Sequence, residues 1–149
     1  MSRDIYWPRA TANEVMIATW GTDRGLVPMV DPIYQFPFDE RSWMGPSFGI
    51  WYKTGGELGE EPPANFKAAM DLYDRYRATV DPEEQRQIGQ ELVRLATEEM
   101  WVIGTVGMAP AIVIAKNDFR NVIMDQSFVS DWIIMAPGTQ DPSHYFFDR

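Results

Sequence analysis

Between Pro62 and Met100 the chain is spaced and punctuated as two consecutive amphipathic helices, and that pair limits what the rest can fold around. Pro62-Pro63 suits a helix start, where the missing proline N–H is no loss. Phe66, Ala69, Met70, Tyr73 and Tyr76 then recur at three- and four-residue intervals, which predicts a helix to about Ala78. Asp81-Pro82-Glu83-Glu84 is a second start signal: an Asp cap, proline at the first position, acids facing the helix dipole, and Glu84 placed for a capping box. Ile88, Leu92, Leu95, Ala96 and Met100 form the apolar stripe that follows. Helices over 63–79 and 82–100 are therefore expected to pack as a pair. Phe66, Met70, Tyr73, Ile88, Leu92 and Leu95 should be buried against strands near 15–20 and 102–106.

The strand expectations come from β-branched runs bounded by turn residues. Val15–Trp20 is the clearest. Residues 101–106 and 111–115 read as two short strands split by Gly107–Pro110, Phe119–Ile123 as an extended piece, and Trp132–Met135 as a last strand. Trp43–Lys53 reads as a short helix despite Gly45, Pro46 and Gly49. Residues 1–63 hold seven of the eleven prolines and seven of the eleven glycines, so short elements joined by shaped loops are expected there. The class is α/β or α+β, with too few strands to close a large sheet independently.

Composition excludes several functions. A net charge of −9 does not supply the cationic surface that nucleic acid or an anionic membrane requires. No stretch approaches the roughly 18 apolar residues of a membrane span, and Met1–Ala10 lacks the layout of a signal peptide. Without cysteine there is neither a disulfide nor a thiolate nucleophile, and one histidine, His144, cannot build a histidine metal cluster. The acids Glu57, Glu60 and Glu61 do not follow calcium-loop spacing and read as a solvated loop. Glu83, Glu84, Glu91, Glu98 and Glu99 fall on polar helix faces, and His144 reads as a surface residue. No constellation seeds an active site, so the chain is expected not to be an enzyme, and no cofactor or metal is called for.

Four stretches carry a resemblance. Ala12-Asn13-Glu14 leads into Ile17-Ala18-Thr19-Trp20-Gly21-Thr22-Asp23, and Trp51-Tyr52-Lys53-Thr54-Gly55-Gly56 precedes Gly59-Glu60-Glu61-Pro62-Pro63. The helix Asp81–Met100 follows, then Ile103-Gly104-Thr105-Val106-Gly107 with Asn117–Val122. In this order they resemble the C-terminal region of family-5 extracellular solute-binding proteins, the oligopeptide- and dipeptide-binding group. The resemblance implies a fragment of a larger two-lobed protein, α/β as a whole and α+β in this piece, with a ligand chamber between the lobes. Residues 1–103 would be the C-terminal part of the second lobe, and 104–149 strands returning towards the first. It further implies an ABC importer, permease subunits as partners, a periplasmic or extracellular location associated with the membrane without insertion, and a peptide or oligosaccharide ligand.

The resemblance also supplies candidate contacts. In oligopeptide-binding relatives a strand ends in a Trp-x-x-Asp pattern whose Asp receives the peptide ammonium group, and Trp20 and Asp23 match it. A carboxylate at a strand end in a partly dry chamber suits a charge-assisted hydrogen bond. Against this, Asp23-Arg24-Gly25 is also ordinary turn chemistry, and Arg24-Gly25-Leu26 replaces the relatives' polar continuation. Tryptophans stack on sugars, which makes Trp20, Trp43 and Trp51 candidates for an oligosaccharide, while core packing is the favoured reading for Trp51 and Trp101. The expected ligand contacts are Trp20, Thr22, Asp23 and Trp43. The alternatives are an oligosaccharide-binding member of the same family and a small protein-interaction module.

Overall fold

The computed structural model describes residues 2–21, 28–105, 114–122 and 142–148. In chain order the elements are helices α1 (Arg3–Thr11), α2 (Pro46–Lys53), α3 (Ala64–Ala78) and α4 (Pro82–Glu98), then strands β1 (Phe119–Arg120) and β2 (Phe146–Phe147). The class is mixed helix and small sheet, compatible with α+β. Two units separate by their contacts: residues 2–21 with 28–103 form one, and the described residues from Gly104 onward belong to the other.

In the first unit α3 and α4 pack on each other as the periodicity predicts. Phe66, Ala69, Met70, Leu72 and Tyr73 are buried from α3, and Ile88, Gly89 and Leu92 from α4, while Leu95 packs half-buried at the core margin. The Asp81 side chain accepts a hydrogen bond from the Glu84 backbone N–H at 2.8 Å, so the cap forms as expected. Asp81→Ala should lower stability by about 1 kcal/mol, measured by urea denaturation, because one amide of the first turn loses its acceptor. An unchanged midpoint would show that water replaces the carboxylate fully.

The partner of the helix pair is not a sheet. Its core is completed by Phe36, which is fully buried, with Met29, Phe38, Trp51 and Tyr52 around it. Residues 28–45 form a chain of turns that enters the core directly. Pro32 accepts from the amides of Gln35 and Phe36, Asp39 from Ser42, and Ser42 from Gly45. Turns satisfy the backbone where no ladder exists, which is why such a loop can be buried at all. An ion-pair clamp fixes it: Arg41 donates to both carboxylate oxygens of Asp31 at 2.8 and 3.1 Å and to Asp39 at 2.6 Å. The Asp39 hydrogen bond, opposed by burial and assisted by Asp31, holds Arg41 protonated well above its ordinary range. The Tyr73 hydroxyl donates to the Met29 carbonyl at 3.1 Å, tying loop to helix.

The strand expected over 15–20 is absent. Met16 and Ile17 are exposed, and no backbone group from Val15 to Ala18 makes a hydrogen bond. A strand exists only against a partner edge; here the amide and carbonyl of Thr19 bond the Tyr6 hydroxyl instead. Residues 101–105 are likewise not a strand. Met100, expected on the buried stripe, follows the helix with φ of 52° and is exposed, and the chain leaves the helix axis there. Trp101 packs on Phe66, its ring centroid 4.5 Å away. The 43–53 expectation is met from Pro46 onward, with proline at the start of α2. Helix α1, which has Pro8 inside it, was not among the elements expected from the sequence.

In the second unit β1 and β2 pair antiparallel, Phe119 opposite Phe147 and Arg120 opposite Phe146. Arg120 pairs with Asp148 at 2.9 Å, and Phe119 packs against Tyr145 and Phe147. The expected extended piece is thus realised at 119–120. Val106, residues 111–113, Ile123 and Trp132–Met135, also expected as strand, lie outside the described residues, and Ile114 and Ala115 of the expected 111–115 strand are not strand. His144 is exposed, as expected.

Candidate functional site

Four aromatic side chains from three segments of the first unit converge. Helix α1 carries Tyr6 and Trp7 side by side, with Arg3 one turn earlier. The hydroxyl of Tyr6 accepts from the Thr19 amide at 2.8 Å and donates to the Thr19 carbonyl at 3.2 Å. These two hydrogen bonds to one residue bring the next one, Trp20, over the helix. Its ring stacks on Tyr6, centroids 6.1 Å apart and planes within 13°, and meets Trp7 edge to face at 5.5 Å. The Tyr34 hydroxyl holds the segment's exit by donating to the Gly21 carbonyl at 2.9 Å.

Trp43 enters from the clamped loop. Its ring lies 5.3 Å from Tyr6, 5.0 Å from Trp7 and 5.7 Å from Trp20, all steeply inclined. These separations and angles favour ring quadrupoles, at about 0.5–1.5 kcal/mol per pair beyond area burial. The cluster is therefore held by its own packing and by the loop that Arg41 fixes. Tyr6, Trp7 and Trp43 are half-buried, whereas Trp20 keeps 42% of its surface in solvent. The Arg3 guanidinium sits over the Trp7 and Trp20 rings, 5.8 and 5.5 Å from their centroids. The indole N–H of Trp43 is buried without an acceptor.

Two of the expected contacts, Trp20 and Trp43, are thus brought together, although no strand carries Trp20. Thr22 and Asp23 lie outside the described residues. Trp51 joins none of these ring pairs; it packs beside the helical core with the Lys67 ammonium over its ring. Tyr6, Trp7 and Arg3 were missed by sequence reasoning. Their signal was the spacing of Arg3 three and four residues before an aromatic pair, which places all three on one helical face once a helix is granted. Among the described residues no group of three or more His, Asp or Glu side chains is placed to hold a metal ion. Glu57, Glu60 and Glu61 are exposed, as read from their spacing.

Comparison of the sequence with protein-family models and with curated proteins finds no match. The cluster must therefore be interpreted from its own chemistry. It offers a partly exposed indole, rings packed around it, and a cation over two of the rings.

Proposed function

We propose that this chain is a C-terminal piece of the solute-binding component of an ABC importer, acting outside the cytoplasmic membrane and not as an enzyme. It would be part of the second lobe and of the segment returning to the first. Its ligand is a peptide contacted by Trp20, Thr22, Asp23 and Trp43. The observation that supports this is the convergence of Trp20 and Trp43, distant in sequence, in one cluster with Trp20 open to solvent. The sequence resemblance supplies the class of protein. The absence of a strand through Trp20 removes the strand-end setting expected for Asp23, so its role rests on the Trp-x-x-Asp match. The exposed indole equally suits a sugar ring, which keeps an oligosaccharide ligand as the second reading.

Peptide titrations followed by the tryptophan indole N–H resonances test the assignment and suit weak affinities. The 149-residue chain should bind more weakly than micromolar, because two chamber walls are needed to desolvate a ligand. Asp23→Asn removes charge while keeping shape. It should weaken a peptide with a free amino terminus on the order of ten- to a hundredfold, as loss of a charge-assisted hydrogen bond of about 1.5–3 kcal/mol requires. The N-acetylated peptide should change little. Equal loss for both peptides indicates destabilisation, and no loss for either removes Asp23 from the site. If neither peptides nor oligosaccharides perturb the rings, the ligand-binding reading fails.

A further inference from the structure

Two hydrogen-bond donors of the aromatic cluster have no acceptor among the described residues. Arg3 is solvent-facing and makes no ion pair or hydrogen bond among the described residues; its contacts are the two indole faces. A guanidinium lying over a ring engages it through its flat surface and keeps its edge N–H groups for an acceptor. Inside the cluster the Trp43 indole N–H also has no acceptor, although it is buried. Buried polar groups are nearly always paired, so an unpaired donor marks a place where the protein alone does not complete the chemistry. The Tyr6 hydroxyl does not answer the deficit, because it is committed to Thr19.

We infer that the Arg3 rim of this cluster is a carboxylate subsite, taking a carboxylate borne on an aromatic or branched apolar group. This rests on reading the cluster as a ligand surface, and adds the ligand's acidic end to it. Arg3 pairs the carboxylate through two parallel N–H···O bonds, geometry that a planar guanidinium matches and an ammonium does not. The apolar body lies against the solvent-exposed part of Trp20 beside the guanidinium. The neighbouring rings exclude water from one side of the ion pair, which strengthens it relative to a fully exposed pair. Cationic ligand groups are disfavoured at this rim, since Arg3 already occupies the faces of Trp7 and Trp20.

The test uses N-acetyl-phenylalanine and N-acetyl-phenylalaninamide, which differ only in the carboxylate and carry no amino group for Asp23. Each is titrated into the 149-residue chain while the indole N–H signals of Trp7, Trp20 and Trp43 are followed. The acid should shift these signals and bind about tenfold more tightly than the amide, with an advantage that shrinks as salt is raised. Arg3→Gln should abolish the advantage, and Arg3→Lys, which keeps charge without the fork, should retain part of it. Equal binding of acid and amide, or an advantage that survives Arg3→Gln, overturns the subsite. Its failure is separable from that of the proposed function. An Asp23-dependent response to free peptides with no preference for the acid rejects the subsite alone. Acid-selective binding with no response to peptides supports the subsite and rejects the peptide reading.

Discussion

Phe36→Ala is expected to lower the stability of the first unit by about 3–5 kcal/mol, the range for removing a fully buried aromatic ring. Phe36 is where three segments meet. Its ring lies 5.9 Å from Phe38 in its own loop, 5.7 Å from Tyr52 of α2 and 5.3 Å from Tyr73 of α3. None of it is exposed, and the flanking Pro32 and Pro37 are buried too. Two rigid prolines and the turn closed on the Pro32 carbonyl keep the loop from collapsing into the space a smaller side chain would leave. The cavity should therefore persist, and the upper part of the range applies. Against the usual total of about 5–15 kcal/mol, such a loss brings the chain close to unfolding at room temperature. Urea denaturation followed by circular dichroism measures it, with Phe36→Leu, which preserves most of the volume, losing roughly a third as much. A loss below about 1 kcal/mol for Phe36→Ala would mean that the 28–45 loop does not seal the helix pair.

That residue also shows where the sequence stops being readable. The helices of residues 64–98 were legible because period and punctuation agree: five apolar positions at helical spacing, then an Asp cap, a proline and two acids. What those helices bury against was not legible. Val15–Trp20 has strong strand propensity, yet propensity acts only through a neighbouring edge, and the Tyr6 hydroxyl occupies the backbone of Thr19. The true partner, residues 28–38, has neither helical nor alternating spacing. Its three prolines, Pro28, Pro32 and Pro37, suggest surface loop, and only the turn bonds and the Asp31–Arg41–Asp39 clamp reveal that it is core.

The site divides in the same way. Trp20 could be named from the Trp-x-x-Asp match, and Trp20 and Trp43 together because tryptophan faces stack on sugars. Their meeting could not be foreseen, since it depends on a loop conformation set by Arg41, two residues before Trp43. Tyr6 and Trp7 went unnamed because no helix was expected over residues 3–11, where Pro8, with no N–H for a helical bond, sits within α1.

Glycine substitutions that differ in surroundings and in backbone conformation should separate packing from backbone strain, and Gly49→Ala should be among the most damaging. Within a helix, alanine for glycine normally stabilises by about 1 kcal/mol. At Gly49 in α2 an added Cβ would lie 2.3 Å from the Asp39 carbonyl oxygen and 2.5 Å from its carbon. Both are backbone atoms, and they cannot swing aside, because Asp39 is bonded to Arg41 and to the Ser42 amide. Relief requires α2 to move off the turn by about an ångström, and overpacking of this kind typically costs about 1–3 kcal/mol, occasionally more. The clash outweighs the propensity gain, so a net loss of roughly 2 kcal/mol is expected, with altered Trp43 fluorescence as the clamped loop shifts. Gly59→Ala should be at least as harmful. Its φ of 85° disfavours a side chain, and the new Cβ would lie 2.3 Å from the Ser47 carbonyl oxygen and 2.6 Å from the Trp51 nitrogen. Gly55 is the control: φ is 64°, but nothing lies within 4 Å of a Cβ there, so only the left-handed penalty of about 1–2 kcal/mol remains. The expected order of urea midpoints is wild type, then Gly55→Ala, then Gly49→Ala and Gly59→Ala. If Gly49→Ala is as stable as wild type, the helix propensity has won, and the close seating of α2 on the Asp39 turn is refuted.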